Sequence, residues 1–281
     1  MANIHWFPGH MNKALNEIKE KVKLVDVVIE LLDTRIPYSS FNDEFEKFVV
    51  NKKRLFVFTK ADLADPEITK GWVEQFKREC KDYLFLDIIH DNVNAVLTKK
   101  ITELAVDKHA KEKVKGMKPQ PVRTMIIGIP NVGKSSLINK LAKRKVAGVE
   151  NRPGFTRGEQ MIKINNDFLL VDTPGVLPMN YENKKKAMHL ALVGSIKEEI
   201  LPSLDMADYL LDFFKEHYPS VLEERFDIKE LGENHAVLEE IARKRGLLGQ
   251  NGVLQIENAA SLLLKEFKDG KLGRISLERA L

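Results

Sequence analysis

The chain of 281 residues has little of several features that would mark other classes of protein. Cys80 is its only cysteine, so no disulfide can form within the chain and a zinc site built on cysteines is not expected. No uninterrupted apolar run approaches the ~18 residues that a membrane-spanning helix needs. Residues 1–20 lack the apolar segment of a signal peptide. These absences predict a cytoplasmic globular protein without a membrane span.

A large excess of charge is also missing, because 45 Lys and Arg face 41 Asp and Glu, for a net charge of +4. Residues 205–281 hold 11 basic and 15 acidic side chains, so the positive excess lies in the preceding part of the chain. Basic clusters occur at residues 108–123, 184–186 and 243–245. They permit a nucleic acid or ribonucleoprotein partner, although such runs are more often solvated faces.

Short apolar segments alternate with helical patterns over the first two thirds of the chain, which is typical of an α/β fold with a mostly parallel sheet. Strands are predicted at residues 24–32, 55–58, 83–89, 124–127 and 168–171. Helices are predicted at residues 68–81, 94–113, 187–200, 209–214, 235–241 and 256–267. We therefore expect an α/β domain over residues 1–178 and a smaller all-α domain over residues 179–281. A linker rich in Lys and Pro spans residues 111–121.

A phosphate-binding loop is predicted at residues 128–135, which read GIPNVGKS and fit the pattern GxxxxGK[ST] between a strand and a helix. Backbone N–H groups at the start of such a helix cradle phosphates. Lys134 is expected to reach the β- and γ-phosphates, and the Ser135 hydroxyl to bind Mg²⁺. The neighbouring positions expected to contact the nucleotide are Asn131, Val132, Gly133 and Ser136.

Two further segments complete the predicted phosphate and metal site. Asp172 ends a strand in the sequence DTPG and is expected to hold Mg²⁺, while Gly175 lies near the γ-phosphate. Thr156, in RPGFTRG, is expected to complete the coordination of Mg²⁺ when the γ-phosphate is present. An ordinary surface loop is the alternative for Thr156.

The sequence TKAD at residues 59–62 predicts that the bound nucleotide carries guanine as its base. The carboxylate of Asp62 can accept hydrogen bonds from guanine N1–H and N2–H₂, a donor pair that adenine lacks, and the stem of Lys60 can cover the base plane. Thr59 belongs to the same predicted nucleotide site. The alternative is an ordinary helix N-cap.

The order of these motifs is circularly permuted, because TKAD comes before the phosphate loop instead of after it. The linker at residues 111–121 is expected to join what would otherwise be the two termini of the domain. Val176 follows DTPG, where many GTPases carry the glutamine that orients the attacking water. We therefore expect slow turnover by the isolated protein.

Together these segments resemble the circularly permuted ribosome-biogenesis GTPases, most closely the RbgA/YlqF family. The matching segments read HWFPGHM (5–11), DTRIP (33–37), TKAD, GIPNVGKS, PGFTR and DTPGV, and the likeness covers essentially the whole chain. The resemblance implies hydrolysis of GTP coupled to late maturation of the large ribosomal subunit. It also implies that His10 acts as the catalytic substitute for glutamine.

Several alternatives remain open at this stage. His10 is either catalytic or a cap of the helix that follows, and Asn131 either helps to bind K⁺ or makes a hydrogen bond within its loop. The resemblance implies rRNA or ribosomal protein as partner of the helical domain, with residues 243–245 and Lys268, Lys271 and Arg274 as candidate contacts. A monomer is favoured. The rival function is a nucleotide-gated binding module in which hydrolysis is incidental, or a GTPase that regulates another RNA or membrane partner.

Overall fold

The computed structural model describes residues 9–142, 161–171, 176, 184–196 and 201–280. A single sheet of six strands lies at the centre of this part of the chain, in the order β3-β2-β1-β4-β6-β5. All neighbouring strands are parallel except β5 and β6. The strands are β1 (Val27–Asp33), β2 (Lys53–Thr59), β3 (Tyr83–Leu86), β4 (Val122–Gly128), β5 (Met161–Lys163) and β6 (Phe168–Val171).

Helices cover both faces of this sheet, which is why every residue of the central strand β1 is buried. On one face, α1 and α3 pack against β1 and β4 through Leu15, Ile18 and Phe45. The helices up to the end of the sheet are α1 (Gly9–Val22), α2 (Pro37–Ser40), α3 (Asp43–Val49), α4 (Pro66–Arg78), α5 (Val93–Leu104), α6 (Val106–Val114) and α7 (Lys134–Ala142).

The described part of the chain after the sheet contains five α-helices joined by turns and loops. The helices are α8 (Lys184–Leu192), α9 (Ser203–His217), α10 (Val221–Phe226), α11 (Asn234–Lys244) and α12 (Ile256–Lys268). Apolar residues of α9, α11 and α12 form one hydrophobic cluster that continues without a break into the core beside the sheet. Among the described residues, none of the helices is both long enough and apolar enough to span a membrane.

The predicted fold class is confirmed, with four local corrections. The helix predicted at residues 187–200 begins at Lys184 and ends at Leu192, because Gly194 takes a left-handed conformation at φ +78°. The strand predicted at residues 83–89 ends at Leu86, because the Asp87 carboxylate accepts hydrogen bonds from the N–H groups of Ile89 and His90 and closes a turn. The helix predicted at residues 94–113 is two helices that meet at Ala105. The predicted linker is still helical up to Val114, and only residues after α6 connect to β4.

Candidate functional site

The motifs predicted to bind nucleotide converge on the carboxyl edge of the sheet. The register pairs Asp33 of β1 with Thr59 of β2, and Leu31 of β1 with Gly128 of β4. Because β1, β2 and β4 are parallel neighbours, the segments that follow them emerge side by side. The circular permutation therefore leaves the base motif and the phosphate motif adjacent in space.

The phosphate loop connects β4 to α7 in a conformation that depends on its glycines. Gly133 has φ +102°, and a Cβ at this position would lie 3.1 Å from Ile88 Cδ1, in the loop after β3. Helix α7 begins at Lys134, and the side chains of Ser135 and Ser136 in its first turn are exposed. The N–H groups of this first turn have no partner within the helix, so the loop can bind an anion.

Thr59 connects the two motifs directly. Its hydroxyl donates a hydrogen bond to the carbonyl oxygen of Val132 in the phosphate loop at 2.6 Å. The backbone carbonyl of Thr59 in turn accepts a hydrogen bond from Thr34 Oγ1 at 2.6 Å. Both threonines are buried, so the end of β2 holds the phosphate loop through a contact shielded from water.

The TKAD segment does not act as an ordinary helix N-cap. Lys60 is in the left-handed conformation at φ 57°, and a short 3₁₀ turn follows at Ala61–Leu63. Helix α4 is capped instead by Asp65, whose carboxylate accepts hydrogen bonds from the N–H groups of Glu67 and Ile68. Within the described residues, the half-buried carboxylate of Asp62 has no hydrogen-bond partner, so it is available to a ligand.

Lys60 is held by a buried ion cluster below the turn. Its ammonium lies 2.9 Å from Asp33 Oδ2, and Asp33 also pairs with the guanidinium of Arg35 through both carboxylate oxygens, at 3.0 and 2.9 Å. Burial alone would raise the pKa of Asp33, but the charges of Arg35 and Lys60 outweigh it and hold that pKa well below its ordinary value. No role was predicted for Asp33 from the sequence, although an arginine two positions later is a signal for an ion pair.

Val176 replaces the usual glutamine with a completely buried side chain. It lies in the hydrophobic cluster formed with α1 and α3, and its N–H donates to the carbonyl oxygen of Gly128 at 3.2 Å. Its own carbonyl oxygen accepts a hydrogen bond from Asn42 Nδ2 at 3.3 Å. Val176 therefore serves packing and cannot orient water.

Asn131 contacts the helical part of the molecule instead of its own loop. Its side-chain Nδ2 donates a hydrogen bond to the carbonyl oxygen of Gly194 at 2.6 Å, in the turn after α8. Gly194 has φ +78°, in the left-handed region that favours glycine. This contact was not predicted from the sequence, and it directly connects the phosphate loop with the segment that leads into α9.

The segment after α12 returns to the base-reading side of the sheet. Backbone N–H groups of Ile275 and Leu277 donate to the carbonyl oxygens of Leu63 and Arg35, at 3.0 and 2.9 Å. Glu278 accepts hydrogen bonds from the backbone N–H and the hydroxyl of Ser39. The end of the described chain is thereby fixed to the loops that follow β1 and β2.

Glu278 also forms a buried polar chain with α8 and α9. Its Oε1 lies 2.8 Å from His189 Nδ1, and His189 Nε2 lies 2.8 Å from the hydroxyl of Tyr209. Burial, followed by the charge of Glu278, raises the pKa of Tyr209 to about 12, so its hydroxyl stays protonated. These residues line a cleft of about 860 Å³ between the helical part and α4.

Four of the predicted site residues cannot be placed. Thr156, Asp172 and Gly175 lie outside the described residues, and His10 falls in α1 with its side chain outside them. Among the described residues, no group of three or more His, Cys, Asp or Glu side chains could hold a metal ion. Of the predicted metal ligands, the described part of the chain contains only Ser135.

In the basic clusters at residues 184–186 and 243–245, several side chains make contacts within the chain. Lys186 is buried, and its ammonium donates to the carbonyl oxygen of Phe41 at 3.1 Å. Lys244 pairs with Asp227 at 2.9 Å, and the guanidinium of Arg245 lies over the ring of Phe226. Neither residues 184–186 nor residues 243–245 form a uniformly free basic face.

Comparisons with known proteins agree with this geometry. A family model described as 50S ribosome-binding GTPase matches residues 123–242. Ribosome biogenesis GTPase A of Bacillus licheniformis is 40% identical over 278 residues, which cover 98% of this chain and 98% of that protein. The protein of the same name from Thermotoga maritima is 34% identical and covers 98% of this chain and 94% of its own.

Solved structures give the same result at the level of the fold. The GDP-bound structure of YlqF has a TM-score of 0.69 at 30% identity and covers 94% of this chain and 98% of its own. GNP-bound YlqF from T. maritima has a TM-score of 0.68 at 30% identity, over 95% and 98% of the two chains. The chain therefore belongs to the ribosome biogenesis GTPase A family, and its activity is the hydrolysis of GTP.

Proposed function

We propose that the chain binds GTP at the carboxyl edge of the sheet and couples its hydrolysis to late assembly of the large ribosomal subunit. The observation that carries this proposal is the hydrogen bond from Thr59 to the carbonyl of Val132, which joins the base motif to the phosphate loop. A ligand that spans both motifs must have a base at one end and phosphates at the other. The relatives named for ribosome biogenesis support the ribosomal particle as partner.

Each residue of the site has a proposed part in binding. Asp62 accepts the guanine donors, the stem of Lys60 covers the base, and the first turn of α7 holds the phosphates, with Lys134 on the β- and γ-phosphates. Ser135, Thr156 and Asp172 are the proposed ligands of Mg²⁺, which when bound neutralises charge on the phosphate oxygens. The exposed hydroxyl of Ser135 at the helix start fits this assignment. Asn131 Oδ1 is the proposed contact for K⁺.

His10 is the proposed catalytic group, and the course of α1 supports it. Helix α1 packs on the cluster that contains Val176 and connects to the amino end of β1 through Lys23–Asp26, so it runs antiparallel to that strand. Its 14 residues extend about 21 Å, close to the length of the seven-residue strand. We infer from this course that the start of α1 lies toward the phosphate loop, where a neutral imidazole would orient water or accept its proton.

The test is steady-state hydrolysis of GTP by the purified protein, with and without large ribosomal subunits. We expect the subunits to raise the rate at least ~10-fold, which corresponds to ~1.4 kcal/mol off the barrier. An unchanged rate with both mature subunits and assembly intermediates would contradict the ribosomal role.

His10→Ala separates an enzyme from a nucleotide-gated binding module. A catalytic His10 predicts that the stimulated turnover is lost while the affinity for GTP is retained. The matched control is His235→Ala on α11, whose imidazole is 70% exposed and remote from the sheet edge. A binding module, whose output is docking alone, would function unchanged in both variants.

A further inference from the structure

A second cleft, of about 510 Å³, lies on the opposite side of the sheet from the nucleotide motifs. It is bounded by the residues that begin β1 and β2 and by the junction of α5 and α6. Because these strands are parallel, their amino ends form the edge furthest from the phosphate loop. Eight charged side chains line the cleft: Lys52, Lys53, Lys108, Lys111, Lys115, Asp26, Asp107 and Glu112.

The acidic groups of this cleft are already neutralised by donors of the chain itself. Because no carboxylate is left without a partner, the charge that faces solvent is carried by the lysines that remain. The pairs are Asp107 with Lys53 at 3.0 Å, Glu112 with Lys108 at 2.7 Å, and Asp26 with the Arg123 guanidinium at 3.8 Å.

The lysines that have no carboxylate partner lie at the end of α6. Lys111 of α6 and Lys115, which directly follows its last residue, are four positions apart and both line the cleft. Lys111 and Lys115 are exposed and form no ion pair or hydrogen bond with any side chain that the structure describes, and Lys118 follows them along the chain. Lys52 donates to the carbonyl oxygen of Val25 at 2.9 Å, so its charge meets no carboxylate.

Two exposed apolar side chains lie next to these lysines along the chain, which distinguishes the surface from a merely solvated run of charge. Val114 is 89% exposed, and Met117, which lines the cleft, is 48% exposed. Apolar groups that stay in water beside unpaired lysines are typical of a surface that a partner covers.

We propose that this cleft and the α6 surface bind the phosphate backbone of RNA. The unpaired ammonium groups are point charges suited to phosphate oxygens, and Lys111 and Lys115 lie about 6 Å apart along the helix axis. Val114 and Met117 contact ribose between the phosphates. This inference rests on the proposed ribosomal role, since it names the surface through which the chain meets rRNA, and it leaves the nucleotide site free at the opposite edge of the sheet.

The test is binding of a fluorescein-labelled RNA duplex of about 16 base pairs and mixed sequence, titrated by anisotropy at several salt concentrations. The variant is Lys111→Gln with Lys115→Gln and Lys118→Gln in the full chain. We expect its affinity to fall at least ~10-fold near physiological salt, and the slope of log K against log salt to decrease by about 3, one for each lost phosphate contact.

The matched control removes the same charge elsewhere, through Lys77→Gln, Lys229→Gln and Lys265→Gln. These three lysines are exposed, lie away from the cleft, and form no ion pair or hydrogen bond through side chains among the described residues. The control should bind the duplex as the unmodified protein does, and both triple variants should retain basal hydrolysis of GTP.

Equal affinities of the two triple variants for the duplex would overturn the proposal. So would unchanged duplex binding combined with weaker cosedimentation with large subunits, because the surface would then contact ribosomal protein. Failure of the proposed ribosomal role would look different from failure of this RNA surface. In that case subunits would not stimulate hydrolysis of GTP, while duplex binding would still depend on the three lysines.

Discussion

At the scale of single residues, two aspartates at the carboxyl edge of the sheet differ in their surroundings and therefore in their roles. Asp33 is buried between Arg35 and Lys60, which satisfy its carboxylate. Asp62 lies in the turn above, half-buried and without a partner among the described residues. The first aspartate supports the site from below, and the second is left for a ligand.

Asp62→Asn is expected to shift the preference of the site from guanine nucleotides to xanthine nucleotides. The carboxamide loses an acceptor for guanine but gains a donor for the C2 carbonyl of xanthine. Loss of the two charge-assisted hydrogen bonds should cost about 3 kcal/mol, a factor of roughly 100 in affinity for GTP. Calorimetric titration with GTP and with xanthosine triphosphate measures the affinity for each nucleotide. Asp65→Asn is the control, because asparagine caps a helix as well as aspartate does; equal nucleotide preferences in the two variants would refute the assignment.

Asp33→Asn should destabilise the fold by about 3–5 kcal/mol, because it leaves the buried Arg35 without its counter-charge. Urea unfolding measures the change. The control is Asp107→Asn, which breaks the exposed ion pair with Lys53. It should lower the free energy of unfolding by no more than about 1 kcal/mol. A loss for Asp33→Asn no larger than that of the control would contradict the role of the buried pair.

The effect of Asp33→Asn on stability should depend on pH. Since the pKa of Asp33 is lowered in the folded state, its contribution is fully present above the unfolded pKa of about 3.9 and is lost as the pH falls toward the folded value. The difference in stability between the unmodified protein and Asp33→Asn should therefore shrink below about pH 4. A difference that stayed constant down to pH 2 would exclude this linkage.

At the scale of elements, the end of β2 and the phosphate loop act as one unit. Thr59→Val keeps the shape of the side chain but leaves the buried Val132 carbonyl without its donor. We expect a loss of about 1–3 kcal/mol in unfolding free energy, with weaker binding of GTP because the loop is no longer held. Thr102→Val removes an exposed hydroxyl that bonds within α5 and should leave nucleotide affinity unchanged. An equal effect of both variants on GTP binding would exclude the coupling.

Sequence patterns predicted the elements whose ends carry strong local signals. Strands β1, β2, β4 and β6 were predicted because a mostly apolar run precedes a polar motif in each case. The break at Ala105 was missed, since neither Gly nor Pro marks it, and β5 has only three residues. The contact of Asn131 with Gly194 joins residues 63 positions apart, and no local pattern encodes such a pairing.

At the scale of the whole molecule, the segment after α12 closes the helical part onto the sheet. Glu278→Ala leaves buried donors of Ser39 and His189 unsatisfied and should lower the Tm by roughly 5 °C in calorimetry. Glu230→Ala, an exposed glutamate between α10 and α11, is the matched control and should leave the Tm unchanged. Equal Tm values for the two variants would show that the closing contact contributes nothing to stability.

This closure was beyond prediction from sequence. The helical patterns predicted an all-α domain over residues 179–281, and this division stays a prediction. They gave no sign that the apolar cluster of α9, α11 and α12 is continuous with the core beside the sheet. Residues 272–280 contain no motif, and their partners Leu63 and Arg35 lie more than 200 positions away. Only the folded backbone brings these groups within hydrogen-bond distance.

The strand order has a consequence for the time course of synthesis. β1 lies between β2 and β4, yet β4 is translated some 90 residues after β1. At bacterial and eukaryotic elongation rates this interval is roughly 5–20 s. During it, the nascent chain displays a largely apolar strand with one open edge, a feature prone to pairing with other chains. Chaperones that bind such strands should therefore engage this protein early in translation, and release it when the phosphate loop has emerged.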